Sequence, residues 1–422
     1  SPMSRFQVLV IVICFLINML DGFDVLVMAF TADRISNEWA LSGKFIGLLF
    51  SFGLVGMAIG AIFLGPLADI YGRRALIIIC LSIVTLGMLL SSLTNGFYQL
   101  AAMRVLTGIG IGGILASVNI IAAEYSSNRR RGLAISLTQI GYPLGGMIGG
   151  GIAIFLMPEA GWRSVFVFGA CLSAIMIPVV LWHLPESIDY LMARRPVDAL
   201  QRINSLLGRM GHKALSALPA LEPQRVKLNI GVRGLWTAEY RGATMLMWLS
   251  FFMVMAGVYF VLSWMPKLLI HAGLSENQGI SGSMILHIGG MTGQLALGFI
   301  SARFNLKKLS GAYMLLAAVF MSLFAVYSND LNFAMYLGAF VGFFLLGSIT
   351  GLYILSPALY PAEIRTTAMG WAIGIGRIGA ILSPFITGVL LDLGWGTSSL
   401  FFIFAIPMMI AMFAMLLIRT DQ

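Results

Sequence analysis

The chain has 422 residues, 59% of them hydrophobic and only 10% charged, with a mean hydropathy of +0.93. Soluble domains carry about 25% charged residues, so a water-soluble globule is excluded and a protein threaded through a lipid bilayer is indicated. The formal charge of +9 does not signal a nucleic-acid partner, because the basic residues are placed as a topology signal.

A membrane span needs about 20 apolar residues. Twelve such stretches follow one another: 6–32, 43–68, 75–94, 97–122, 132–157, 163–183, 241–269, 278–302, 309–328, 331–356, 364–393 and 397–418. The first is too long for a signal-peptide core and lacks a small-residue cleavage site, so it stays as a span. Its informative residues are Asp21 and Asp24. A carboxylate at that depth is costly and must face protein or water. Three residues apart, the two share one helix face and form a candidate site for a proton or a cation.

The loop after the second span reads Gly65-Pro-Leu-Ala-Asp69-Ile-Tyr-Gly72-Arg73-Arg74. Asp69 is placed to cap a neighbouring helix N-terminus, and Arg73 to pair with an acid on the next bundle. Together with Arg74 they predict a cytoplasmic latch. Simple topological decoration explains the two arginines but not Asp69. The corresponding loop of the second half has Ala302 where Asp69 would stand.

The fourth span holds Arg104, followed by Gly108, Gly110, Gly112 and Gly113, which permit close helix approach. Counted at about 1.5 Å per residue, Arg104 and Asp24 lie roughly 10 and 12 Å from the outer ends of their spans. An Asp24–Arg104 pair is therefore expected, against the alternative of an arginine snorkelling to the headgroups. Beyond it come Glu124 and Arg129 to Arg131; Glu124 and Arg131 are read as gate charges, with a solvated surface pair as the alternative. The fifth span carries Gln139 and Tyr142.

The stretch from 184 to 240 is the only long polar one. Within it Pro196 is placed to open an amphipathic helix with Leu200, Ile203, Leu206 and Leu207 on its apolar side. Three regions result: a six-span bundle over 1–183, a cytoplasmic linker over 184–240 and a second six-span bundle over 241–422. The halves repeat: Leu133-Ala-Ile-Ser-Leu-Thr-Gln-Ile-Gly141 aligns with Trp371-Ala-Ile-Gly-Ile-Gly-Arg-Ile-Gly379 at a spacing of 238. Parallel six-span repeats with a midplane site are a transporter plan.

In the second half, Arg377 sits near the middle of the eleventh span, where it can hardly snorkel. Its repeat counterpart is the neutral Gln139. A guanidinium there suits a substrate carboxylate, which it can grip with two hydrogen bonds. The alternative, a structural bridge, has only Glu363 and Asp392 to draw on, and both are near span ends. His287 in the eighth span reads equally as a packed core residue or a titrating one. Tyr259, Trp264 and Tyr353 are candidate cavity aromatics. Glu363 and Arg365, in Tyr360-Pro-Ala-Glu363-Ile-Arg365, read as a second pair of gate charges.

With the N-terminus in the cytoplasm, 20 of the 26 Lys and Arg residues fall on inside segments and four, Arg34, Lys44, Arg163 and Lys267, outside. This bias places both termini in the cytoplasm. Cys14, Cys80 and Cys171 lie singly in apolar stretches and form no metal or disulfide pattern. There is no metal cluster, nucleotide loop or nucleophile–base arrangement, so an enzyme is not expected.

The Asp69 loop and Arg104 with its glycines resemble the two signatures of the major facilitator superfamily. Within it the chain resembles the aromatic acid:proton symporters. This rests on Asp21-Gly-Phe-Asp24, on both signatures, and on Tyr360-Pro-Ala-Glu363-Ile-Arg365 followed by Gly370-Trp371-Ala372, Gly374 and Gly376-Arg377-Ile378-Gly379. The resemblance spans the whole chain. It implies an all-α fold of twelve transmembrane helices in two pseudo-symmetric bundles, lodged in a bacterial inner membrane as a monomer. It also implies that helices 1, 4, 7 and 10 surround the cavity, and that protons are the coupling ion with no other cofactor. The expected activity is proton-coupled import of small aromatic or related organic carboxylates. Asp21 or Asp24 would load the proton against Arg104, and Arg377 would hold the carboxylate. The alternatives are a sugar- or sialate-type symporter, for which the seventh span offers almost no amides, and another organic-anion transporter.

Overall fold

The computed structural model describes residues 3–126, 131–218, 234–301, 303–327, 330–360 and 362–418, with the side chains of residues 69, 116, 131–136, 331, 332, 357 and 362–366 left aside. Among the described residues it is entirely helical, with α1 (Arg5–Trp39), α2 (Gly43–Phe63), α3 (Ala68–Tyr71), α4 (Arg73–Ser92), α5 (Phe97–Glu124), α6 (Arg131–Ala160), α7 (Arg163–His183), α8 (Ile188–Arg194) and α9 (Ala199–Met210). After the linker come α10 (Arg241–His271), α11 (Glu276–Ile300), α12 (Leu306–Tyr327), α13 (Leu331–Ala358), α14 (Ala362–Asp392) and α15 (Thr397–Leu417). Twelve of these are long and apolar enough to cross a membrane. They answer one for one to the twelve spans read from the sequence.

The largest boundary difference is in α1. The hydropathy limit of 6–32 is exceeded by seven residues at its far end, because the helix continues through the polar Asp33, Arg34, Ser36, Asn37 and Glu38. Thr31 Oγ donates back to the Val27 carbonyl at 2.8 Å, which hides its polarity inside the helix. Arg34, expected on an outside segment beyond the first span, thus belongs to α1. In the linker, the predicted amphipathic helix is α9. It starts three residues after Pro196, whose carbonyl accepts the Ala199 N–H at 2.8 Å. Ile203 is buried, and Leu206 packs against the first apolar core.

The contacts divide the chain into two compact units: Ser1–Val25, Val55–Gly145 and Arg163–Val226, and then Leu26–Leu54, Gly146–Trp162 and Lys227–Gln422. This is not a cut at the linker. The far portions of α1, α2 and α6 belong with the second unit. The first unit is built on an apolar core that includes Val10, Cys14, Ile17, Ile77, Cys80, Ile114, Ile121 and Val180. There α1 and α6 touch backbone to backbone: a Cβ on Gly145 would lie 1.8 Å from the Met19 carbonyl oxygen. That closeness fixes the helix carrying the two aspartates. The second unit is held partly by rings, with Phe260 stacked on Phe404 at 4.1 Å and Phe324 tilted on Phe401 at 4.4 Å between centroids.

Candidate functional site

In the first unit Asp21, Asp24 and Arg104 are all buried, at 2%, 1% and 3% exposure. They share one neighbourhood, but the expected carboxylate–guanidinium bridge is replaced by another contact. Arg104 donates to the main-chain carbonyl of Asp24 at 3.2 Å. The Asp24 carboxylate is turned towards α7. There Gly169 leaves it room, a Cβ at that position lying 3.2 Å from Oδ1, and Ser173 offers a long hydroxyl contact of 3.5 Å to Oδ2. Asp24 Oδ1, Asp21 Oδ2 and Arg104 Nε have no hydrogen-bond partner among the described residues. Asp21 lies near enough to Asp24 and Cys80 to act on both electrostatically, and Tyr142 does the same to Arg104. One turn below Asp21, Asn18 Nδ2 donates to the Thr138 carbonyl at 2.6 Å and ties α1 to α6.

The second unit presents a different arrangement. Arg377, on α14, is half-buried and has no ion pair or hydrogen bond among the described residues. It stands close enough to act on the Tyr353 hydroxyl, as does Tyr259. The Tyr353 ring meets Phe251 edge-on at 5.7 Å. A positive group beside phenols and an aromatic wall is chemically suited to an aromatic anion.

Trp264 plays another part. It is wholly buried, its indole N–H donates to the Pro384 carbonyl at 3.1 Å, and its ring packs edge-on against Phe50 at 5.3 Å. In this arrangement it is packing, not cavity wall. His287 is 1% exposed and neither ring nitrogen has a partner; it lies against Gly146, whose Cβ would stand 2.9 Å from Nε2. Gln139 is exposed and donates to Asn119 Oδ1 at 3.2 Å, in the first unit.

Of the predicted cytoplasmic gate, the structure brings Arg73 and Glu124 together in an ion pair. Arg73 also donates to Ser187 Oγ at 2.5 Å, and Glu124 accepts from Ser187 Oγ at 2.8 Å and from the Ile188 N–H at 2.9 Å. Arg73 thus pairs with an acid of its own unit. Arg74 reaches the Leu181 carbonyl. The cap on α4 comes from a residue the sequence reading passed over: Glu186 Oε1 accepts from the Arg73 and Arg74 N–H groups at 2.8 and 3.1 Å. Tyr125 closes the cluster by donating to the Glu186 carbonyl at 2.6 Å. Burial, reinforced by Glu124 and Glu186, pushes its hydroxyl well above its ordinary range, so it stays a donor. The side chains of Asp69, Arg131, Glu363 and Arg365 lie outside the described residues.

The second unit carries a set of charged contacts that sequence reading missed. Arg34 on α1 grips Glu276, in the first turn of α11, at 2.7 and 2.8 Å and donates to the Met157 carbonyl of α6 at 2.5 Å. Lys267 on α10 reaches Asp33 at 3.1 Å. Asp392, the last residue of α14, caps α2 by accepting the Gly43 and Lys44 N–H groups at 2.7 and 2.8 Å. Trp162 donates to Glu38 at 2.7 Å. Opposite charges on segments read as outer were the available signal, but hydropathy gives no pairing across such sequence distances.

The family model for the Major Facilitator Superfamily matches residues 11–309 and 288–422. The chain is 35% identical to the gallate transporter of Pseudomonas putida over 417 residues, covering 98% of this chain and 92% of that protein. It is 31% identical to the 4-hydroxybenzoate transporter of Pseudomonas aeruginosa over 420 residues, covering 99% and 93%. Its fold is similar to that of the xylose transporter of E. coli in an inward-open conformation, with a TM-score of 0.80, 17% identity and coverage of 98% and 97%. The chain therefore belongs to the major facilitator superfamily and, within it, to the aromatic acid:proton symporter family.

Proposed function

We propose that this protein imports a small aromatic carboxylate together with protons, by alternating access across a bacterial inner membrane, with both chain termini in the cytoplasm. The observation that carries the substrate half is Arg377, a half-buried cation with no acid against it among the described residues, close enough to act on Tyr353, as is Tyr259. An intramembrane cation left without a partner is a ligand site in waiting. The relatives named for gallate and 4-hydroxybenzoate supply the class of ligand. The proton half is supported by the unpartnered carboxylate oxygens of Asp21 and Asp24 next to Arg104. Loading either acid removes a buried charge, which favours the conformational exchange of alternating access. Arg73 with Glu124 serves as the cytoplasmic fastening, and Asp69, Arg131, Glu363 and Arg365 are proposed to take part. His287, Gln139 and Tyr142 are proposed to border the substrate path, and the protein is proposed to act as a monomer.

The test is uptake of radiolabelled gallate, 4-hydroxybenzoate and benzoate by proteoliposomes with an imposed proton gradient. Concentrative uptake that collapses with a protonophore supports the reading. Uptake indifferent to the protonophore rejects proton coupling, and no uptake of any aromatic acid rejects the substrate class.

A further inference from the structure

The first unit holds an odd count of buried charge. Among the described residues, the ionisable acids and bases buried within membrane-spanning helices of that unit are Asp21, Asp24 and Arg104. Two carboxylates against one guanidinium leave one negative charge. The groups facing them do not cancel it. Asp24 faces Arg104 and Ser173, Asp21 faces Asp24 and Cys80, and Tyr142 faces Arg104. Both carboxylates keep an oxygen without a partner, as does Arg104 at Nε. A single proton on one carboxyl makes the cluster neutral, and a second would leave Arg104 uncompensated. In the second unit the complementary vacancy is Arg377, one positive charge with no acid against it among the described residues. One carboxylate neutralises it. A dicarboxylate would bring a further negative charge with no cation to meet it.

We infer that the transporter takes one proton and one monocarboxylate per cycle, and that transport is electroneutral. This rests on the functional reading above and deepens it to stoichiometry and substrate charge. The same count yields the coupling rule. With neither ligand, or with both, the buried groups sum to zero; with only the proton or only the anion they carry a net charge, which the low-dielectric interior disfavours. The singly loaded forms are the ones that do not cross.

The experiment separates the two components of the proton gradient in proteoliposomes holding the full chain, with potassium and valinomycin setting the potential. A pH difference of one unit at zero potential should give roughly tenfold accumulation of 4-hydroxybenzoate or benzoate. A potential of about −100 mV without a pH difference should give none, whereas movement of one net charge would give roughly 50-fold. Terephthalate, a dicarboxylate, should neither accumulate nor compete. Potential-driven accumulation, or terephthalate uptake equal to that of benzoate, overturns the inference while leaving aromatic-acid transport intact. Absence of uptake under every gradient instead overturns the functional reading itself. A second arm uses Asp24→Asn, which leaves the first cluster neutral without a proton. It should retain benzoate exchange and lose pH-driven accumulation; the exchange shows that the variant is folded. Unchanged pH-driven accumulation in both Asp24→Asn and Asp21→Asn also overturns the inference.

Discussion

Removing Arg34 should loosen the contacts that join α1, α6 and α11 within the second unit. The side chains of Arg34 and Glu276 keep 31% and 23% of their exposure. A fully exposed ion pair is worth about 0–1 kcal/mol. This one is bidentate, half shielded, and reinforced by the 2.5 Å bond to the Met157 carbonyl. Charge-assisted hydrogen bonds of that kind raise the figure to about 1–2 kcal/mol. Spent on the closed arrangement, this corresponds to roughly a 5- to 30-fold rise in the open population for Arg34→Ala. Ser51 is a suitable reporter, because it is 5% exposed and its hydroxyl donates to the Ile381 carbonyl of α14 at 2.6 Å. The background would be Cys171→Ser, since Cys171 is exposed whereas Cys14 and Cys80 are buried. Labelling of Ser51→Cys by a membrane-impermeant maleimide should accelerate by that factor in both Arg34→Ala and Glu276→Gln. The charge-exchanged Arg34→Glu/Glu276→Arg pair should slow it again. Labelling rates unchanged in both single variants would show that the contact does not hold these helices together.

Arg377→Lys should raise the KM for benzoate about 10- to 100-fold, because an ammonium cannot reproduce a bidentate grip; an unchanged KM removes Arg377 from the binding role. Gly145→Ala should lower the thermal unfolding midpoint in detergent, at a cost of about 1–3 kcal/mol, since the new methyl would stand 1.8 Å from the Met19 carbonyl oxygen; an unaltered midpoint would mean that α1 and α6 are not in backbone contact. Glu186→Ala should cost about 1–2 kcal/mol through the uncapped start of α4, read as earlier proteolysis between α3 and α4; wild-type resistance would assign the cap to another group.

The fold was legible because lipid leaves few choices: each stretch of about 20 apolar residues has to close its own hydrogen bonds as a helix. What lipid does not dictate was harder to read. α1 overran its hydropathy limit because its last seven residues, Asp33 to Trp39, are mostly polar yet stay helical, with Asp33, Arg34 and Glu38 held by partners far along the chain. The Asp24–Arg104 neighbourhood could be found from depth alone. The direction of the carboxylate could not, since it depends on Gly169 and Ser173 of α7, far along the chain. Trp264 shows the same limit: composition marks it as an aromatic in a candidate cavity helix, and only the Pro384 carbonyl reveals it as packing. Long-range pairs such as Arg34 with Glu276 have no periodicity to betray them.

In the proposed cycle α1 is the element that carries both the proton-loading acids and the Arg34 contact. Asp24 falls in the first compact unit, Asp33 and Arg34 in the second, and the helix runs unbroken between them. Nine residues separate Asp24 from Asp33, about 13.5 Å of helix. Near one end of that rod lies the acid pair proposed to take up a proton beside Arg104; near the other, two charged residues contact α10 and α11. A rigid helix transmits a tilt over such a distance with little loss, whereas a loop would absorb it. Gly22 lies in the first of these parts, and a Cβ there would meet the Tyr142 carbonyl oxygen at 2.0 Å. The backbone of α1 beside the acid pair thus lies directly against that of α6. If the proposed coupling runs along α1, labelling of Ser51→Cys should depend on external pH, and Val27→Pro, which removes the helix bond from the Val27 N–H to the Phe23 carbonyl, should leave benzoate exchange measurable but abolish that dependence. Retention of that dependence would show that the signal between Asp24 and Arg34 does not travel along α1.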